Sequence, residues 1–293
     1  MRNLKVGTRK SPLAMKQTEL VVEMLKAKHP ELEIEIVGIS TLGDRDQKSK
    51  LSEIGGKGIF AKEVERELID SEIDFAVHSL KDLPAILPEG LVLAAHPKRA
   101  NPLDCVVYPE YSEKRISDGG LRLGTGSSRR IKQLELHFSE VETVPIRGKI
   151  ETRLEKMLDE HLDGVVLACA GLERMGYLEH LLYEPLCPDS FVPAVGQGIL
   201  GVECRMDDEE VFQLLKEISD LETEQMAIAE RKFLELMNGN CDIPLGALAQ
   251  KFDEEWVFNA FLAKDDNDAG RSVRFTGENP LSLAVQAYEE LMK

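Results

Sequence analysis

No stretch of this chain approaches the ~20 consecutive apolar residues that a membrane-spanning helix needs, so its 43% hydrophobic residues read as core material for a soluble globular fold. Basic residues are in deficit. The 36 Lys and Arg against 53 Asp and Glu leave a net charge of −17, a surface that repels a polyanionic duplex and makes nucleic acid a poor partner. Paired cysteine spacings are missing as well: the five cysteines, at 105, 169, 187, 204 and 241, are odd in number and contain no C-x-x-C, which excludes a disulfide framework and a zinc ribbon. The six histidines form no H-E-x-x-H or other short ligand spacing, so no metal is expected. The opening MRNLKVGTRKSPLAM lacks a continuous apolar segment of the export type, and the expected compartment is the cytoplasm. No period of ~20 to 50 residues recurs, which sets solenoids aside.

What is present is a repeated βα texture, in a chain of 293 residues that exceeds one compact core and predicts two or three domains. LKVG at 4–7 reads as a strand. Leu13, Leu20, Val21, Met24 and Leu25 then fall on one helical stripe, with Ser11 placed to cap that helix and Pro12 in its first turn. Strands are expected at 33–40, 74–79 and 91–96, with a helix through Phe60, Ala61, Val64 and Leu68 between the first two. The spacing predicts a largely parallel sheet covered by helices.

After KRANP at 98–102 a second series begins, with DCVVY, LRLG, a helix from about 129 and VETVPI at 141–146. A helix with Ile150, Leu154, Met157 and Leu158 inward leads to GVVLACAG at 164–171, read as strand then turn. Beyond 220 the texture changes to a helix with Met226, Ala229, Phe233 and Leu236 inward, a Gly/Asn/Pro loop at 238–246, two or three alternating strands and a closing helix from 281. That is a smaller α+β unit.

Positive charge follows the expected strand ends: Arg9 beside Ser11, Lys81 beside Asp82, Arg129 and Arg130, Arg147, and Arg174. In open α/β sheets the ligand crevice lies outside the carboxyl ends of the strands, so these side chains converge on one cleft suited to an anionic small molecule. Each alone is an ordinary polar loop residue. Together they are not, because LRLGTGSSRRIKQL at 121–134 holds four basic residues and no acid inside an acidic chain. Ser127 and Ser128 precede a helix whose free N–H groups and guanidinium forks suit a carboxylate, or they are plain N-caps. Arg153, at the edge of a buried stripe, reaches the cleft or snorkels.

Two glycine patterns are discounted. Gly196, Gly198 and Gly201 spell G-x-G-x-x-G, but LGVEC continues as a strand and opens no helix to receive a pyrophosphate. IGGKGIF at 54–60 lacks the Ser or Thr of a phosphate loop. Cys105, Cys169, Cys187 and Cys204 read as small buried hydrophobes. Cys241 sits instead in the NGNCDIPLG loop, where Asp242 opposes thiolate formation, so reactivity there needs a cation from elsewhere in the fold.

The motifs GTRKSPLA, IGGKGIF, HSLKDLP, GTGSSRR, IRG with TRL, AGLERMG, VPAVGQG and NCDIPLG, in that order from residue 5 to about 246, resemble the porphobilinogen deaminase (hydroxymethylbilane synthase) family. The resemblance implies an α/β fold with two doubly wound lobes of the periplasmic-binding-protein type, at 1–98 with 196–216 and at 99–195, and a C-terminal α+β domain at 217–293. It implies a monomeric transferase that joins four porphobilinogen molecules head to tail with loss of ammonia, and a dipyrromethane cofactor in thioether linkage to Cys241. By resemblance, Lys81, Asp44, Ser127, Arg129, Arg130 and Arg153 hold the cofactor. Arg9, Ser11, Arg147, Arg174 and Lys57 handle substrate and the growing chain. Asp82, which on its own reads as a solvated partner of Lys81, becomes the catalytic carboxylate that stabilises the azafulvenium cation left when the aminomethyl nitrogen departs. Acetate and propionate on every pyrrole explain the guanidinium groups.

Glu53, Gly126, Lys149, Asn240 and Asp242 depart from residues common in that family. Two readings compete: a two-lobed anion-binding protein of the periplasmic type, which the missing export signal disfavours, and an acyltransferase or redox enzyme using Cys241, which lacks a histidine in the loop motif.

Overall fold

The computed structural model describes residues 3–42, 61–238, 243–265 and 267–293. Asp44, Lys57 and Cys241, together with Glu53, Asn240, Asp242 and Phe60, lie outside them.

The chain opens with β1 (Leu4–Arg9), α1 (Pro12–Lys28) and β2 (Ile34–Ile39), then α2 (Lys62–Ile69), β3 (Phe75–Ser79) and β4 (Leu91–Ala95). It continues through β5 (Asp104–Tyr108), β6 (Arg122–Gly124), α3 (Ser128–His137), β7 (Glu142–Val144), α4 (Ile150–Asp159), β8 (Gly164–Ala168), α5 (Cys169–Arg174) and β9 (Leu182–Pro185). After β10 (Leu200–Arg205) and α6 (Glu209–Lys216) come α7 (Leu221–Leu236), β11 (Leu245–Phe252), β12 (Glu255–Leu262), β13 (Arg271–Gly277) and α8 (Pro280–Met292).

Two five-stranded sheets have one architecture. Their orders are β2-β1-β3-β10-β4 and β7-β6-β8-β5-β9, so each places its second, first, third and fourth βα strands around one intruder. The intruder is the strand that arrives by crossing from the other sheet, and it is the antiparallel one: β10 against β3 and β4, β5 against β8 and β9. Four strands of each sheet therefore share a direction, and their carboxyl ends open on the same side, at the topological switch point where such sheets bind ligands.

Helices cover both faces of each sheet. Phe75 and Val77 of β3 meet α1 and α6 on one face, while Ala76 meets Val64 and Leu68 of α2 on the other. In the second sheet Val107 and Val165 pack with Met157 of α4, and Val106 and Val166 pack with Leu134 of α3. The third unit is an antiparallel β11-β12-β13 sheet under α7 and α8. Its core takes in Leu80, Leu83, Val195 and Ile199, so the small unit is packed onto the crossing segments. The fold class is thus two doubly wound α/β lobes with a smaller α+β unit.

Details depart from expectation. Each large sheet is mixed, because the incoming strand can pair only in the direction in which it arrives. GVVLACAG is a strand followed at once by a helix, and Cys169 is that helix's first residue. Cys187 is exposed, since Leu186 beside it takes the core position. Leu158 is also exposed, because it stands about 100° around the helix from Met157, off the stripe of Ile150, Leu154 and Met157. On α7 the inward stripe runs through Leu234 and Met237, with Leu236 only half-buried.

Candidate active site

A cavity of about 550 Å³ lies between the two lobes at the strand carboxyl ends. Its wall includes eight basic side chains, Arg9, Lys10, Lys81, Arg130, Arg147, Lys149, Arg153 and Arg174, against two acidic ones, Asp82 and Glu151. Each is delivered by local structure. Arg9 ends β1, and Ser11 caps α1 by accepting from the Ala14 N–H, with Pro12 next in line. Lys81 and Asp82 occupy a single 3-10 turn after β3, pinned where Leu80 N–H donates to the Ile199 carbonyl. Arg174 ends the short α5 after β8, and Arg153 lies in the first turn of α4 after β7.

Two of the cleft cations bond carbonyl oxygens. Arg153 donates from Nε to the Gly148 carbonyl at 2.8 Å, and Arg174 from Nη2 to the Gly198 carbonyl at 2.7 Å; neither has a carboxylate partner among the described residues. Burial, with Arg130 and Arg147 adding repulsion, pulls Arg153 down to about 10; burial does the same to Arg174 against the opposing pull of Glu173. Lys81 is pushed down to about 8 by burial first and Arg130 second, despite Asp82 and Asp104 nearby. Among these cations Asp82 stands with Oδ2 3.4 Å from Arg9 Nη1 and about a third of its side chain exposed to the cleft.

Arg129 and Arg130 behave differently. Asp104, wholly buried at the start of β5, accepts from Arg129 Nη1 at 2.8 Å and from Arg130 Nε and Nη2 at 3.0 and 2.6 Å. Burial opposes the charge on Asp104, but the two guanidiniums outweigh it and hold the carboxyl well below the usual carboxylate range. Arg130 still reaches the cleft wall, whereas Arg129 does not and donates to the Val192 carbonyl instead. Ser127 is likewise absent from the wall: it is the N-cap of α3 and accepts from the Arg130 N–H.

Sequence reasoning missed Asp104, Arg99, Gln197 and Glu230. The first carried a signal: an acid heading an apolar strand, DCVVY, requires a buried counter-charge. Arg99 and Glu230 form a buried pair at 2.6 Å that ties the first crossing to α7. The expectation that Gly196 and Gly198 serve no pyrophosphate finds its structural counterpart. Both have left-handed backbone, at φ +73° and +85°, and a Cβ on Gly198 would come within 2.6 Å of the Ala100 carbonyl, so they let the two crossings pass closely.

Two family models match the chain. One, described as porphobilinogen deaminase, dipyromethane cofactor binding domain, covers residues 4–213, and the other, the porphobilinogen deaminase C-terminal domain, covers 225–293. The chain belongs to the porphobilinogen deaminase family. Relatives named porphobilinogen deaminase include one from Macrococcus caseolyticus, 44% identical over 98% of this chain and 93% of that protein. Another, from Listeria innocua, is 43% identical over 99% and 95%. Among solved structures, a substrate-binding domain of a putative amino acid ABC transporter from Streptococcus pneumoniae aligns with TM-score 0.48 and 9% identity, covering 82% of this chain and 96% of that one. That likeness is too loose to add to the strand order itself.

This member of the porphobilinogen deaminase family carries a dipyrromethane cofactor. The donor set suits it, because two pyrroles bearing acetate and propionate groups need several cations, and Lys81, Arg153 and Arg174 face the cavity without carboxylate partners among the described residues. The described end of the cysteine loop points the same way. A Cβ on Gly246 would lie 2.6 Å from the Pro193 carbonyl and 3.2 Å from Arg129 Cδ, so the chain leaving NCDIPLG presses against the second lobe.

Proposed function

We infer that the protein is a transferase of porphyrin biosynthesis that condenses four porphobilinogen molecules head to tail into hydroxymethylbilane, releasing ammonia at each addition. The observation that carries this assignment is the set of basic side chains from both lobes that line one cleft around a single catalytic carboxylate, Asp82. Taking 1–98 with 196–216, 99–195 and 217–293 as its three domains, the cleft lies between the first two and the cysteine loop belongs to the third.

Cys241 holds the dipyrromethane through a thioether, Lys81, Arg130 and Arg153 hold its carboxylates, and Asp44 contacts the cofactor away from those carboxylates. Arg129 and Ser127 act from behind, the first by anchoring Asp104 and supporting Gly246, the second by fixing the start of α3. When bound, the dipyrromethane supplies the pyrrole carbon to which the first substrate is joined. Arg9, Ser11, Arg147, Arg174 and Lys57 take the acetate and propionate of incoming porphobilinogen and of the lengthening chain. As the aminomethyl C–N bond breaks, ammonia leaves with the electron pair and the substrate pyrrole becomes cationic; the Asp82 carboxylate stabilises that charge as it develops. The same oxygens deliver a proton to the leaving amine and remove one from the new junction. The enzyme acts as a cytoplasmic monomer with no nucleic-acid or membrane partner, in keeping with a net charge of −17.

Intact-mass measurement tests the assignment. Protein produced with substrate available should weigh two pyrrole units more than the polypeptide, and Cys241→Ala should weigh the polypeptide alone. A bare wild-type mass overturns it.

A further inference from the structure

The cleft lysine is held by a residue that belongs to none of the roles assigned above. Gln197, 1% exposed, lies between Gly196 and Gly198 where the chain returns to the first lobe. Its Nε2 donates to the Pro102 carbonyl at 2.8 Å and to Asp104 Oδ1 at 3.1 Å, and its Oε1 accepts from Lys81 Nζ at 3.1 Å. Two acceptors at one end and an ammonium at the other leave one orientation for the amide, because the reverse would set oxygen against carboxylate and N–H against ammonium. The backbone is fixed too: the Gln197 carbonyl accepts from Arg99 Nε at 2.9 Å and Nη2 at 2.8 Å, and Arg99 is paired with Glu230. Among the described residues, Gln197 is the sole hydrogen-bond partner of the Lys81 ammonium.

We propose that Gln197 is a positioning residue for the condensation, setting the Lys81 ammonium against the cofactor carboxylates and connecting it through Asp104 to Arg129 and Arg130 of the other lobe. The proposal rests on Lys81 being a cofactor residue. A neutral amide suits the task for a physical reason. It stabilises the cleft-facing ammonium without neutralising it, whereas a carboxylate at 197 would pair with Lys81, remove its pull on the ligand and repel Asp104.

The test compares the holoenzyme with Gln197→Met, Lys81→Met and the double variant, using intact mass, thermal melting and steady-state rates with porphobilinogen between pH 6 and 9.5. Gln197→Met, similar in volume, should keep the cofactor mass and a cooperative melt, and lose about tenfold in kcat with a smaller change in KM. Without its acceptor the ammonium is less stable, so the basic limb of the rate profile should move about one unit lower in pH. A residue acting through Lys81 adds nothing once Lys81 is gone, so the double variant should be no slower than Lys81→Met. Independent, multiplying losses in the double variant overturn the proposal, as does a wild-type rate and pH profile in Gln197→Met. Should Gln197→Met fail to fold, Gln197→Glu decides: its carboxylate should move the basic limb to higher pH, and an unmoved limb overturns the proposal. A wild-type rate in Lys81→Met sinks the cofactor role of Lys81 and this proposal together, whereas a slow Lys81→Met beside a normal Gln197→Met sinks this proposal alone.

Discussion

Two groups of cations stand on either side of one wall. Behind it Arg129 is locked to Asp104, and Arg130, locked to the same carboxylate, reaches through to the cleft. Within the cleft, Arg153 and Arg174 are half-buried and Lys81 is exposed to the cavity, and among the described residues they bond only carbonyl or amide oxygens. The charge is the same in the two groups, and what differs is the counter-charge and, with it, the depth of burial. The locked group holds the lobe together, whereas the other is kept under-satisfied, a state that an incoming polyanion relieves. Asp82 is the exception that defines the cleft, a carboxylate placed where cations dominate.

Removing that exception should have the largest effect. Asp82→Asn keeps the shape, so the cofactor should still be attached by intact mass, while kcat falls about 10²- to 10³-fold. A rate near wild type would show that the cleft's electrostatics alone drive the condensation.

The division between locked and open cations is next. Asp104→Ala leaves two buried guanidiniums without a counter-charge and should lower the unfolding free energy by about 3–5 kcal/mol in urea titration. Arg174→Gln removes a cation that has no carboxylate partner among the described residues, so stability should change by less than about 1 kcal/mol while KM for porphobilinogen rises about tenfold. If both variants lose stability alike, the two groups are one.

Much of this division could be read in the sequence, but unevenly. Arg9, Lys81, Arg147 and Arg174 were legible because parallel βα units place every strand's carboxyl end on one side, so local pattern fixed the direction. Ser11 and Pro12 were legible because caps are local. Asp104 and Gln197 were not, since their partners lie 25 to 116 residues away and depend on strand order. That order was itself hidden: β5 and β10 are exchanged between sheets, and nothing within either strand's own residues records which neighbour it will meet. Strand order also hides the tie of Arg129, expected to hold the cofactor, to Asp104; neither it nor Ser127 lies on the cavity wall.

Lys81 gives the comparison a pH dependence. With its ammonium pushed down to about 8 in the open cleft, against about 10.5 in an unfolded chain, the folded apo form binds fewer protons across that window. Its stability therefore rises as pH climbs from about 8 towards 10.5, as the charge between the cleft walls is shed. A cofactor carboxylate beside Lys81 raises the folded value again and removes that gain. The melting-temperature gap between holoprotein and Cys241→Ala should thus narrow steadily above pH 8. A gap independent of pH would mean that Lys81 does not face the cofactor.

The smallest effect belongs to an ion pair of the same chemistry at the surface of the second lobe. Arg122 Nε lies 3.2 Å from Glu142 Oε2, much like the contacts of Arg130 with Asp104, but the two side chains are 44% and 63% exposed. Water already solvates both charges, and holding them together costs side-chain entropy, so a double-mutant cycle should give a coupling of about 0.5 kcal/mol or less that fades further in salt. If the coupling instead reached about 3 kcal/mol, contact geometry alone would explain the hold of Asp104 on its arginines. A weak coupling leaves burial as the cause, and burial is what separates the locked arginines from the more accessible cations of the cleft.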